Sequence, residues 1–561
     1  MSSARSNQSA TAVIRNQILW DRLIAVVEEQ AQTIIRTAFG AAAREAGDVS
    51  AGLFLPDGRM IAQAVTGTPG HVNSVAESVR HFLAEFPAPT MRPGDIYITN
   101  DPWKATGHLF DITVVTPVFL GSKLVALFAS NTHVVDIGGV GVGPDATQIY
   151  HEGLFIPIAK LADRGEMSKT VLDFLRANVR DPVQVVGDVY ALVSCNEVAG
   201  RRLAGMMREY GLKTLQPLGE HIIAQSHAAM LKAAAAWPAG TWHHEMTIDG
   251  YEAPIHLKAA LTVSARGIEV DFTGSSGAVQ RALNVPKSYT DAYTSFGVRC
   301  IIGADVPNNA GSLGAVTVKA PEGSIVNALP PCAVTSRAIV GMMLPDLVFG
   351  CLRQACPDRV PAEGASSLWN IRLVGGQPMA GAPAEDFLAG RRFTQVSFTT
   401  GGTGARPRQD GLSTTSFPSG VRNTAVEISE TMAPLVFWRK EYRLDSGGPG
   451  KYRGGLGQVV EVSHAEHVPM ILAATFDRIK FPARGALGGQ VGAPGRVRLK
   501  SGRELNGKGR QLVPAGDRVI IETPGGGGIG EPRERAPESV ERDVRHGLVG
   551  AEAARDVYGW E

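Results

Sequence analysis

At 561 residues the chain has room for several core-sized units, at about 150 residues each. Its 55 basic and 54 acidic residues leave a formal net charge of +1, and 44% of the chain is hydrophobic against 19% charged. That balance excludes the basic excess that nucleic-acid and anionic-membrane partners call for. No run approaches the roughly 18 apolar residues of a membrane span, and the Ser-rich stretch 1–12 has no apolar signal-peptide core.

In chain order, Leu19, Leu23, Val26, Val27, Ile34 and Ile35 recur at helical spacing and predict a helix over 18–46, broken by Gly47 and Asp48. Short strands at 52–55 and 60–64 flank the turn Pro56-Asp57-Gly58. A helix over 72–86 follows, and Pro93-Gly94-Asp95 then opens a strand at 96–99. Two β-branched-rich runs, 112–119 and 123–130, surround Leu120-Gly121-Ser122 and read as a β-hairpin. A glycine-rich loop over 137–144 comes next, then helices over 169–177, 182–210 and 215–236. Strands are expected at 241–248, 256–263 and 267–272, a helix near 336–351, and mostly strands with glycine turns from about 391. Five cysteines, Cys195, Cys300, Cys332, Cys351 and Cys356, form no CxxC pair and read as free thiols in a reducing cytoplasm.

The segment Asn100–Asp111 ends in His108-x-x-Asp111, just before the first hairpin strand, and Asn131-Thr132-His133 follows the second. A turn centred on Gly121 and Ser122 sets Asp111 opposite Thr132 and His133 beside Phe110. His108, Asp111 and His133 should then converge at the open end of the hairpin. Two imidazoles and a carboxylate suit Zn²⁺, Mn²⁺ or Fe²⁺, and a metal lowers the pKa of water toward neutrality. Asp48 could add an oxygen ligand, although spacing does not place it. On spacing alone the pattern is weak evidence for a metal, and ordinary polar residues capping strand ends account for it more readily. His71, in Pro69-Gly70-His71, suits proton transfer or a helix cap; Asp136 and His151 suit near-site or structural roles. His243 and His244 share a strand, so they point to opposite faces.

Two glycine clusters, 446–457 and 523–530, invite a phosphate-loop reading. The first has no Ser or Thr after Lys451, Pro449 removes an N–H, and neither matches the P-loop spacing. Tight turns account for them better, and no dinucleotide fingerprint is present.

The sequence resembles the B subunits of the hydantoinase/oxoprolinase family, which includes N-methylhydantoinase B, the C-terminal half of 5-oxoprolinases and the acetone carboxylase large subunit. The resemblance rests on Asp48-Val49-Ser50, Gly70-His71, Gly94-Asp95-Ile96-Tyr97, Asn100-Asp101-Pro102 and His108-Leu109-Phe110-Asp111-Ile112-Thr113. It continues through His133, Asp136-Ile137-Gly138-Gly139, Glu152-Gly153-Leu154, Gly401–Arg406, Asp445–Gly450, Arg453-Gly454-Gly455 and Thr523–Gly528. It implies that His108, Asp111 and His133 are metal ligands, with Asp48 near an additional acidic one, and it favours His71 and Asp136 as proton-moving groups. It further implies an A-type partner subunit that binds ATP and Mg and phosphorylates the amide oxygen of a cyclic amide. This chain would then hydrolyse the activated bond, in a cytoplasmic hetero-oligomer. The family's doubled histidine before Ala-Asp-Ile-Gly-Gly is here His133-Val134-Val135-Asp136, a departure on the substrate side. A ketone carboxylase subunit and a non-catalytic scaffold are the alternatives.

The expected fold class is α+β: a mixed metal-binding region (1–165), a helical segment (166–239), a mixed α/β region (240–390), a β-rich glycine-turn region (391–531) and a charged docking tail (532–561).

Overall fold

The computed structural model describes residues 2–366, 368–376, 390 and 392–560, with side chains from Val13 on. The expected boundary at 390/391 falls at Arg391, outside the described residues. The architecture is α+β, built from separate sheets and helical layers.

The first seven strands are β1 (Val49–Phe54), β2 (Met60–Gln63), β3 (Ile96–Thr99), β4 (Asp111–Leu120), β5 (Lys123–His133), β6 (Ala159–Asp163) and β7 (Glu166–Met167). They pair as an antiparallel sheet of order β2-β1-β5-β4-β3-β6-β7. The helices before the β-rich half are α1 (Ser2–Thr37), α2 (Ala41–Arg44), α3 (Pro69–Glu85), α4 (Lys169–Asn178), α5 (Pro182–Glu209), α6 (Gln216–Ala235), α7 (Lys287–Ile301), α8 (Ala310–Leu313), α9 (Ala338–Gly341) and α10 (Leu344–Ala355).

The central residues of β4 and β5 are buried on both faces because helices cover both faces. Ala126 and Phe128 pack with Leu23 and Val27 of α1 and Leu203 of α5. Leu127 and Ala129, out of phase by one, pack with Val75, Val79 and Phe82 of α3. Burying a side chain such as Phe128 stabilises by about 1.5–3 kcal/mol, so a register slip that exchanged the faces is strongly disfavoured.

Two helix expectations are corrected. The helix expected over 18–46 stops at Thr37, because the Asp188 carboxylate takes the N–H groups of Phe39 and Gly40 at 2.8 and 3.0 Å and turns the chain. The helix expected near 336–351 is split into α9 and α10, with Pro345 in the first turn of α10, where its missing N–H is tolerated. Taken whole, 338–355 has the length and mean hydropathy (1.3) of a membrane span, contrary to the sequence expectation. It is 78% buried within the protein, as the core of a folded domain would be.

A second sheet, β8 (Gly240–Ile248), β9 (Ile255–Ser264), β10 (Gly267–Asp271) and β11 (Val316–Lys319), packs against α7 and α10. Eight further strands follow: β12 (Trp369–Gly375), β13 (Phe393–Thr399), β14 (Leu435–Tyr442), β15 (Gln458–His464), β16 (Met470–Thr475), β17 (Arg496–Leu499), β18 (Lys508–Val513) and β19 (Val519–Glu522). They form two sheets, β13-β12-β16-β18 and β14-β15-β19-β17, joined by one apolar core. Trp369, Ile371 and Leu373 of β12 and Met470, Leu472 and Ala474 of β16 enter that core. Their alternate neighbours therefore face the other way, toward the first sheet.

The glycine clusters are not the tight turns expected. Residues 446–457 and 523–530 run beside each other and beside 401–404, with Gly448 N–H on the Gly526 carbonyl, Gly526 N–H on that of Gly455, and Gly455 N–H on that of Thr403. A Cβ at Gly454 would lie 1.9 Å from the Gly526 oxygen, so glycine here serves close approach. The tail folds back onto these segments. Arg535 pairs with Asp410 and Asp543 at 2.7 and 2.6 Å, and Asp543 also meets Arg453 at 3.2 Å.

Candidate functional site

Asp111 opens β4 and His133 closes β5, and the two are direct cross-strand partners. The hairpin expectation set Asp111 opposite Thr132. A β-bulge between Val118 and Phe119 shifts the remaining pairs by one residue, so Thr132 faces Ile112 instead. Both side chains consequently lie on the α3 side of the sheet, in phase with Leu127 and Ala129. Asp111 Oδ1 is 3.1 Å from His133 Nδ1 and 2.6 Å from His108 Nε2. One ligand-type atom from each of His108, Asp111 and His133 can be chosen so that all lie within 4.8 Å of one another.

The first turn of α3 brings in His71. Its Nε2 lies 2.8 Å from Asp111 Oδ2. Its Nδ1 is 3.3 Å from Asp48 Oδ1 without hydrogen-bond geometry, and so is buried without a hydrogen-bond partner. Asp48 thus stands beside His71, outside the 4.8 Å group. Arg337, between α9 and the preceding loop, donates from Nη2 to Asp111 Oδ2 at 2.6 Å and from Nε to the Thr106 carbonyl at 2.8 Å. Gly107 makes this possible: at φ +91° it needs no Cβ, which would meet Arg337 Nε at 2.6 Å. The Arg337 guanidinium also lies 4.1 Å from the centre of the Tyr289 ring.

Charge sets the protonation pattern. Burial alone would raise the Asp111 carboxyl, but its hydrogen bond with His108 and the charges of His71 and Arg337 hold it well below the usual range. Burial pulls His108 down to about 3, with the Arg337 charge adding to the effect. His108 is therefore a neutral imidazole, the form a metal ligand takes. Burial also pulls on His71, but the Asp111 and Asp48 carboxylates outweigh it and its pKa is raised.

These groups line one side of a cavity of about 90 Å³, shared by Asp48, Thr68, His71, His108, His133, Tyr289, Tyr293 and residues 335–339. Its far side is the outer face of the β12-β13-β16 sheet, with Asn370, Arg372, Val396, Phe398, Ala473 and Thr475.

Other candidates sit elsewhere. Asp136 accepts bonds from the Arg180 backbone and guanidinium and from Gly138 N–H, so both carboxylate oxygens are engaged. His151 is exposed and lies beside Thr147 and Gln148. His244 contacts Arg484 at 2.9 Å, while the neighbouring His243 is exposed.

Sequence reasoning missed Arg337 and the segment that carries it. His108 Nδ1 lies 3.0 Å from the Thr335 carbonyl, and Glu152 accepts the N–H groups of Val334 and Thr335 at 2.6 and 2.8 Å. A signal was present, since Arg337 is the one charged residue between Glu322 and Asp346. A lone charge in an apolar stretch is worth a search for a buried partner.

The Hydantoinase B/oxoprolinase family model matches residues 13–532. The putative B subunit of a D-/L-hydantoinase from Pseudomonas sp. is 26% identical over 587 aligned positions, covering 100% of this chain and 97% of that protein. The beta subunit of the caprolactamase from Pseudomonas jessenii is 28% identical, covering 95% of this chain and 93% of that one. A crystal structure of the ATP-dependent caprolactamase from the same organism shares the fold at a TM-score of 0.88 and 24% identity, over 97% of this chain and 96% of that chain.

Proposed function

The chain belongs to the hydantoinase B/oxoprolinase family, and from that premise we propose that it is the hydrolase component of an ATP-dependent enzyme opening a hydantoin, oxoproline or similar lactam. The observation that carries this reading is the His108–Asp111–His133 cluster, whose two histidines line the cavity.

The donor set fits a divalent transition ion, zinc, manganese or iron, held by His108, Asp111 and His133 with Asp48 as a further oxygen donor. The Thr335 carbonyl beside His108 Nδ1 is an outer contact of the kind that orients a ligating imidazole and leaves Nε2 for the metal. When bound, such an ion supplies Lewis acidity. The chain's own residues do the rest. Arg337 fixes the Asp111 carboxylate from behind, and Tyr289 and Tyr293 close the cavity beside it. His71 Nδ1, without a hydrogen-bond partner and facing Asp48, is placed to hold or pass a proton. Asp136, outside the cavity lining, is proposed to act on the site from a distance. Its bonds to Arg180 and Gly138 give it the task of positioning the 137–144 loop rather than carrying the proton.

ATP and Mg belong, in this reading, to an A-type partner in a cytoplasmic hetero-oligomer. The names of the relatives, which describe them as subunits, support a partner. A lactam is a poor electrophile, and phosphorylation of its oxygen by the partner would activate the amide carbon for addition of water; the C–N bond would then break with a proton passing to the departing amine, and the remaining acyl phosphate would be hydrolysed to carboxylate and phosphate.

The test is metal content by mass spectrometry on the native chain and on His108→Ala and His133→Ala, followed by lactam turnover with ATP and the partner. About one ion per chain, absent from both variants, is expected for an open three-ligand site. A native chain that stays metal-free after reconstitution, yet supports full partner activity, would make it a scaffold. Turnover that requires bicarbonate would make it part of a carboxylase.

A further inference from the structure

Five arginines are buried among the described residues: Arg337, Arg372, Arg453, Arg478 and Arg535. Four of them have a carboxylate close by. Arg337 meets Asp111 at 2.6 Å, Arg453 meets Asp543 at 3.2 Å, Arg478 meets Asp346 and Glu363 at 3.1 and 3.2 Å, and Arg535 meets Asp543 at 2.6 Å. Arg372, only 7% exposed, has no ion pair among the described residues. Its Nη1 donates to the Val142 carbonyl, and its Nε is buried without a partner. A buried, unpaired guanidinium is costly, and packing does not account for this one.

Its placement is specific. Alternation along β12 sends Trp369, Ile371 and Leu373 into the sandwich core and Asn370 and Arg372 into the cavity. Arg372 is flanked across the sheet by Val396 and Ala473, and Asn370 pairs with Phe398, so its immediate cross-strand neighbours are apolar. Gly141 holds the guanidinium from the other side. At φ +80° it presents no Cβ, which would lie 2.5 Å from Nη2. More unpartnered polar atoms belong to residues lining the same cavity: Asn370 Oδ1, Ser336 Oγ, Thr335 Oγ1 and Thr68 Oγ1. Asp136, the opposite charge felt by Arg372, is already paired with Arg180 at 2.6 Å.

We infer that Arg372, with Asn370 beside it, is the oxyanion-binding element of the active-site cavity. It takes the phosphoryl or carboxylate group of a substrate whose amide carbon lies against the His108–Asp111–His133 wall. The inference rests on the proposed function for the identity of that substrate, but not for the existence of the anion site. A guanidinium offers planar, two-pronged donation suited to both anions. The neighbouring Asn370, Ser336 and Thr335 supply neutral groups for the ring's own N–H and carbonyl.

The test is calorimetric titration of the full chain, treated with chelator so that no metal competes, using inorganic phosphate in one arm and acetate in the other. We expect the wild type to bind one of the two, Arg372→Met to lose at least about tenfold in affinity, and Arg372→Lys to fall between, since it keeps the charge and loses the fork. Preference for phosphate identifies the phosphoryl group, and preference for acetate identifies the carboxylate. Absence of binding in the wild type, or unchanged binding in Arg372→Met, overturns the inference. An unchanged circular dichroism spectrum and unchanged metal uptake by Arg372→Met on reconstitution confirm that the variant is folded. Because the titration needs neither metal nor turnover, failure of the metal reading in His108→Ala would leave this result standing.

Discussion

On one side of the cavity, at the mouth of the β4–β5 hairpin, Asp111 is met by His108, His133, His71 and Arg337, all within 3.1 Å. On the other, β12 presents Arg372, which has no carboxylate against it among the described residues. The first wall pairs its central carboxylate with the Arg337 guanidinium. The second keeps a buried charge with no ion pair among the described residues, which a bound anion would balance. Substitution should therefore act in opposite directions on the two walls.

The largest effect is expected at the centre of the paired wall. Asp111→Asn leaves Arg337 buried without its partner, and breaking such a pair costs about 3–5 kcal/mol. Urea denaturation should show that loss, with metal uptake abolished; unchanged stability would mean the network contributes nothing. Next comes Glu152, the carboxylate that ties residues 334 and 335 to this wall. Burial pushes its pKa up to about 7 from 4.5, against the pull of its bonds to Thr335 and Val334. The folded chain thus holds a proton that the unfolded chain has released. The associated stability is fully present below pH 4.5 and is lost as pH rises through about 7. It amounts to about 3 kcal/mol. Glu152→Gln should flatten that part of the stability profile; a profile parallel to wild type would remove Glu152 as its source.

A smaller effect is expected from Arg337→Lys, which keeps the charge but cannot span Asp111 and the Thr106 carbonyl together. Loss of an outer contact of this kind weakens metal affinity or activity by about 10–100-fold, readable by competition with a chelating dye. Equal affinity would mean that Arg337 only fills space. The smallest effect, and the one of opposite sign, belongs to Arg372→Met. Removing an unpaired buried charge of similar volume should leave stability unchanged or raise it by about 1 kcal/mol. A loss above that in the same urea experiment would show that Arg372 has a structural partner and would erase the contrast between the walls.

The two walls also differ in how far they could be read in advance. His108, Asp111 and His133 lie within one hairpin, so local pairing brought them together, and only the bulge at Val118/Phe119 moved the register by a residue. Strand alternation and helix spacing were similarly local, and Ile96–Thr99 matches the expected strand. Arg337 and Arg372 reach the cavity from more than 200 positions away, through the packing of one sheet against another. Nothing in local spacing encodes that approach. The end of α1 failed for the same reason, since Asp188 on α5 stops it. The glycine segments were legible as non-helical, but whether glycine served a turn or close approach depended on the segment that lies alongside.

Those glycine segments have a dynamic consequence. Residues 446–457 and 523–530 contain little regular helix or strand, yet the N–H groups of Gly448, Gly454, Gly455, Gly525, Gly526, Gly527 and Gly528 are all given to neighbouring carbonyls. Opening one strip means parting it from the strips packed on either side, because no side chain separates them. Their amides should exchange with deuterated water as slowly as those of the sheet cores. This part of the chain would then behave as a stiff platform, in contrast to the mobility usually expected of glycine.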